Sequence, residues 1–130
     1  MSSILTSALS GMNAATRRVE VGASNIANIQ TVGTPGATGE ISAYHALDAV
    51  QVSGPQNQPE VRVEDRNPFS SLTYQPGNPL ASDEGYVETP NVDLATELVN
   101  MKIAQRSYEA NLKTLITFDE MQATLLDIKS

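Results

Sequence analysis

The chain has 130 residues, no cysteine and a single histidine, with 15 acidic and 8 basic residues for a net charge of −7. That length suits one domain, and the residue set excludes disulfides, thiolate chemistry and a metal site built on several histidines. The acidity argues against nucleic acid or an anionic membrane as a partner. No stretch of 18 or more apolar residues is available for a spanning helix. The opening "MSSILTSALSGMNAATRRVE" lacks a basic leader and a long apolar core, so no cleaved secretory signal is expected.

Residues 4–29 carry a helical pattern. Leu5, Ala8, Met12, Ala15, Val19, Gly22, Ile26 and Ile29 advance by alternating steps of three and four, a heptad seam. A helix of that length spans roughly 39 Å. Its seam is rich in small residues, with Gly11 beside Ala8 and with Ala14, Ala23 and Ala27 nearby. Small side chains let a second backbone approach closely but bury little area each. Gly11 and Gly22 each weaken the isolated helix by about 1 kcal/mol. Such a helix needs partners.

Residues 30–90 hold all seven prolines, six of the eight glycines and most of the negative charge. "TVGTPGATG", "VSGPQNQP" and "YQPGNPLASDEG" read as turns or irregular chain. Between them, "EVRVE" (60–64) alternates with Val61 and Val63 on one face. "AYHALDAVQV" (43–52) and "SSLTY" (70–74) are weaker strand candidates. The expectation is one or two hairpins with at most three short strands.

Residues 91–128 predict a second long helix, with Pro90 at its mouth and Thr89 or Asn91 as its cap. Its apolar stripe runs through Leu94, Leu98, Met101, Ala104, Tyr108, Leu112, Leu115, Phe118, Met121, Leu125 and Ile128. Val99, Ile103 and Ile116 widen it beyond what a two-stranded seam requires, which implies more than one neighbour. The predicted fold is therefore mainly α, with a small β or irregular insertion. The segments are an N-terminal helix (1–33), a hairpin-like middle that projects (34–90) and a C-terminal helix (91–130). The two helices pack antiparallel as a coiled-coil-like pair.

Residues for chemistry are scarce. A Ser-His-Asp arrangement would need His45 with Asp48, and "SDE" (82–84) with Glu88 lacks the spacing of a calcium loop. No phosphate-cradling GxxxxGK[ST] occurs. The expectation is no enzyme, no cofactor and no metal. The polar helix residues admit two readings each. Asn25 and Asn28 serve either as local caps or as amides bonding across a subunit contact. Gln105 and Arg106 are either a solvated face or register-setting groups, and Tyr108 is a core aromatic or a contact whose hydroxyl needs a partner.

Three stretches carry a family resemblance. "ASNIANIQTVG" (23–33) resembles the N-terminal signature of bacterial flagellar axial proteins. "NVDLATELVNMKIAQRSYEAN" (91–111) resembles the C-terminal signature of rod and hook proteins. "PGNPLASDEGYVETPNV" (76–92) and the short middle are similar to the proximal branch of the flagellar basal-body rod family. Thr34 stands where an aromatic commonly follows the glycine of the first signature.

The resemblance implies a structural subunit of the basal-body rod, the drive shaft between motor and hook that encloses the export channel. Partners would be copies of itself and other rod proteins, with the flagellar export apparatus during secretion. The location would be the rod in the periplasmic space, reached without a cleaved signal peptide. A non-enzymatic adaptor present in few copies is the alternative. On the rod reading, the residues for subunit packing and register are Met12, Asn25, Ile26, Asn28, Leu94, Leu98, Met101, Gln105, Arg106, Tyr108, Asn111, Leu112 and Leu115. Hydrogen-bonding groups among them would fix a register that apolar contact alone leaves free to slide.

Overall fold

The computed structural model describes residues 2–129. Two long helices lie at the ends of the chain, α1 (Ser2–Ala27) and α2 (Leu94–Lys129). Between them come β1 (Leu47–Ser53), β2 (Pro59–Asp65), β3 (Ser70–Tyr74) and β4 (Tyr86–Pro90). The strands form two separate two-stranded antiparallel sheets, β1–β2 and β3–β4. The described residues thus form four strands where at most three were expected.

Helix α1 stops two residues earlier than its apolar pattern suggests. Asn28 turns its amide back onto the Ser24 carbonyl at 2.9 Å, and its own carbonyl accepts from the Thr31 N–H and hydroxyl. These bonds satisfy carbonyls that a continuing helix would have used. Helix α2 starts later than expected, at Leu94. Asp93 caps it, its carboxylate accepting from the Thr96 N–H at 2.9 Å and the Thr96 hydroxyl at 2.5 Å. Those bonds, the hydroxyl's first, hold the Asp93 carboxyl below its ordinary pKa. Thr89 and Pro90 belong instead to β4, and Asn91 donates its amide to the Pro68 carbonyl. A proline at the end of a strand costs no internal ladder bond, so Pro90 is compatible with β4.

The helices run antiparallel in close contact. A Cβ at Gly11 would stand 2.7 Å from Asn111 Oδ1, and one at Gly22 would stand 2.7 Å from Met101 Cγ. The inward face of α2 is therefore not its most apolar one. Glu97, Ala104 and Phe118 are buried, and Met101, Ser107, Asn111 and Leu115 are half-buried. Leu94, Leu98, Leu112 and Met121, all in the expected stripe, are exposed. The true seam is rotated toward the positions that small residues of α1 can accommodate. Ala8, Ala14, Ala15 and Val21 line the α1 side.

The first hairpin lies along α1. The Ser10 hydroxyl donates to the Pro59 carbonyl at 2.7 Å. Its tip turns through Gln56 and Asn57, both left-handed at φ 60° and 62°. The second sheet is tied to the segment after α1 by paired bonds between Gly33 and Glu88, each 2.9 Å. Gly33 is required there, because a Cβ would meet the Ala43 backbone nitrogen at 2.1 Å. Ala43, Ala46 and Val87 fill the small core around this crossing.

Candidate subunit-packing site

Two features of the helix pair bear on function: a buried polar clasp and a bare apolar face. The clasp centres on Asn25, fully buried at 0%, and Glu97, 3% exposed. Asn25 Nδ2 donates to the Leu47 carbonyl at 2.8 Å and to Glu97 Oε1 at 3.1 Å. Its Oδ1 accepts from the Leu47 N–H at 2.9 Å and the Tyr44 hydroxyl at 3.1 Å. All four amide capacities are used, and reversing the amide would oppose donor to donor at Leu47.

Arg66 closes the clasp from the chain following β2. It donates to Glu97 Oε1 at 2.7 Å, to Asp48 Oδ1 at 2.8 Å and to the Asn91 carbonyl at 2.8 Å. Burial works against the Arg66 charge, but the bonds to Glu97 and Asp48 outweigh it and raise its pKa above the ordinary guanidinium value. The cluster ties both helices to the first hairpin. Its polar bonds fix one register, where the small apolar seam would tolerate sliding.

The bare face lies where α1 and α2 meet away from the hairpin. A groove of about 440 Å³ opens there, lined by Ala15, Thr16 and Val19 on α1 and by Leu98, Met101, Lys102, Gln105 and Tyr108 on α2. Exposed Leu94, Leu112 and Ile116 extend the apolar surface of α2, and exposed Leu5 and Leu9 extend that of α1.

The structure gathers Leu98, Met101, Gln105 and Tyr108 in this one groove. Met12 and Ile26 are half-buried on α1, and Leu115 is half-buried on α2. Asn111 packs on Gly11 and donates to the Ser107 carbonyl at 2.8 Å. Gln105 bridges Lys102 and Glu109, and Arg106 pairs with Glu109 at 2.8 Å. That pairing, first through the Arg106 hydrogen bond, lowers the Glu109 pKa. Asn28 makes the local cap described above, whereas Asn25 reaches across the fold to Leu47 and Glu97.

Glu97, Arg66 and Tyr44 were absent from the candidate set. A signal for Glu97 existed. The series 97, 101, 104, 108, 111, 115 and 118 is as regular a heptad as the chosen stripe, but it contains a carboxylate and an amide. His45 stacks on Phe69 at 3.9 Å and bonds Asp65 at 3.1 Å, so its partner is not Asp48. Among the described residues, no three His, Cys, Asp or Glu side chains converge for a metal ion.

A family model for flagella basal body rod proteins matches residues 5–33. Another, for the C-terminal part of flagellar basal body rod FlgEFG proteins, matches residues 83–128. The flagellar basal-body rod protein FlgC of Salmonella typhimurium is 38% identical over 125 residues, covering 92% of this chain and 90% of its own. The chain belongs to the flagellar basal-body rod protein family. FlgC of Agrobacterium fabrum is 34% identical over 92% of this chain and 88% of its own. FlgC of Aquifex aeolicus is 36% identical over 80% and 78%. This rod protein is a structural subunit of the flagellar basal body. The two matched segments are the two that meet in space, through the helix seam and the Gly33–Glu88 bridge.

Proposed function

We propose that this rod subunit polymerises through its helix pair, with copies of itself and other rod proteins, into the drive shaft around the export channel. The carrying observation is the exposed apolar surface from Leu94 to Ile116 beside the groove. A monomer gains nothing from displaying it, whereas a shaft buries it in every subunit. On this reading, residues 1–33 and 91–130 form the inner helical unit and 34–90 the insertion. The subunit is non-enzymatic, is delivered by the flagellar export apparatus and resides in the periplasmic part of the rod. Met12, Leu94, Leu98, Tyr108 and Leu112 contribute intersubunit packing. Gln105, Arg106 and Asn111 set register.

Leu98→Asp tests the reading. An aspartate there would have to be buried without a partner at each subunit contact, while the monomer, in which Leu98 is 53% exposed, would fold normally. The expected outcome is a folded protein by circular dichroism that fails to restore swimming in a strain lacking the gene. Full swimming with Leu98→Asp would reject the packing role. Copy number in purified basal bodies separates a rod layer from a low-copy adaptor.

A further inference from the structure

Met101 stands where the helix seam, the polar clasp and the open groove meet. Its Cγ and Sδ lie 2.7 and 3.2 Å from the point where a Cβ on Gly22 would sit, and Glu97 Oε2 lies 3.6 Å from that same point. The thioether thus occupies the room that Gly22 leaves on α1, beside the clasp carboxylate. Met101 also lines the groove of about 440 Å³ and is half-buried. A side chain that fills the seam is therefore within reach of small solutes through an open face.

The residue type decides what can happen there. An unbranched thioether adapts to an irregular gap, but its sulfur carries lone pairs that attack peroxides. Met12 is half-buried on α1, and Met121 is 52% exposed. A polar oxygen gained at Met121 can stay in water. One gained at Met101 falls between the seam and the groove.

We propose that Met101 is an oxidative modification site at which hydrogen peroxide releases the α1–α2 seam. The thioether sulfur attacks one peroxide oxygen and the O–O bond breaks. That oxygen stays on sulfur, and the other leaves with both hydrogens as water. Sulfur is oxidised by two electrons and the peroxide is reduced. The product is polar, and its oxygen carries partial negative charge. Turned toward α1, that oxygen crowds Gly22 and faces the Glu97 carboxylate. Turned toward the groove, it lies among Ala15, Val19 and Leu98. Either way the seam loses the packing of the unmodified side chain. Glu97 is bonded to Asn25 and Arg66, so its displacement carries the change into the clasp. Enzymatic reduction of the sulfoxide makes the release reversible. The proposal stands on the single subunit and is independent of how subunits assemble.

The test uses the full-length Met12→Leu/Met121→Leu protein, which retains only Met1 and Met101. Leucine is close to methionine in volume, so these exchanges keep the fold. The folded protein is treated with hydrogen peroxide, and its urea midpoint is followed against the oxygen gained at each methionine, read by peptide mass. The midpoint should fall in proportion to Met101 sulfoxide and recover after treatment with methionine sulfoxide reductases for both sulfoxide epimers. A protein that also carries Met101→Leu should keep its midpoint, which separates the effect from oxidation of Met1. An unchanged midpoint with Met101 fully oxidised would overturn the proposal. So would a Met101 that gains oxygen only after urea unfolds the chain, or an equal fall in the Met101→Leu protein.

Discussion

The two ends of the helix pair are built on opposite principles. Where the end of α1 meets the start of α2, Asn25 and Glu97 are sealed by Arg66, Tyr44 and Leu47 in a closed set of hydrogen bonds. At the far end, α2 runs past α1 with Leu125, Leu126 and Ile128 in the open. The first end satisfies itself within one chain. The second satisfies little, and its apolar area can be buried only by a neighbour. A subunit that must hold its own shape yet bind copies on either side benefits from keeping specificity at one end and unspent apolar surface at the other.

The clasp should dominate monomer stability. Glu97→Ala removes the partner of a part-buried guanidinium and orphans one donor of a buried amide, with an expected loss of about 3–5 kcal/mol. Urea denaturation measures it, and a loss like that of a surface mutation would dissolve the contrast between the two ends. Next comes the seam. Gly22→Ala places a Cβ against Met101, an overpacking cost of about 1–3 kcal/mol, offset by about 1 kcal/mol of helix propensity. The net effect should be destabilising and should shrink in the Gly22→Ala/Met101→Ala double variant, because the clash is with that side chain.

The tip should behave in the reverse way. Leu125→Ala is expected to change monomer stability by no more than about 0.5 kcal/mol, while reducing incorporation into basal bodies. A large thermal shift would mean that the tip is already packed within one chain. The smallest effect concerns the mouth of α2. The folded Asp93 pKa is depressed by the Thr96 bonds, so the folded state binds fewer protons there. Its contribution is fully present above the unfolded carboxylate pKa of about 3.9 and is lost as pH falls through the lower folded value. Asp93→Ala should therefore flatten the acid arm of the stability–pH curve and leave its slope at neutral pH unchanged.

Much of this architecture was legible from residue order. The spacing of Ala8, Ala15 and Gly22 announced a helix made for close approach, and the prolines and glycines of 30–90 marked the insertion. The signatures at 23–33 and 91–111 pointed to the family. Strand β4 escaped notice because "YVETP" is short, ends in proline and borders a helix pattern, and its pairing with β3 lies across an eleven-residue loop (75–85). The inward face of α2 was misplaced because hydrophobicity ranks Leu94, Leu98 and Leu112 above Glu97 and Asn111.

By itself, then, the sequence determined the two helices, the irregular insertion, the scarcity of catalytic groups and the rod family, because periodicity, composition and signatures are local properties. Only the tertiary structure decided which helical faces meet. Gly11 and Gly22 admit Asn111 and Met101, and the burial of Glu97 is permitted because Asn25 and an arginine 31 residues away complete its hydrogen bonds. A carboxylate's tolerance of burial depends on partners that the chain brings together only on folding, so no local pattern announces it. The same rotation that turned Glu97 inward turned Leu98 outward, into the groove.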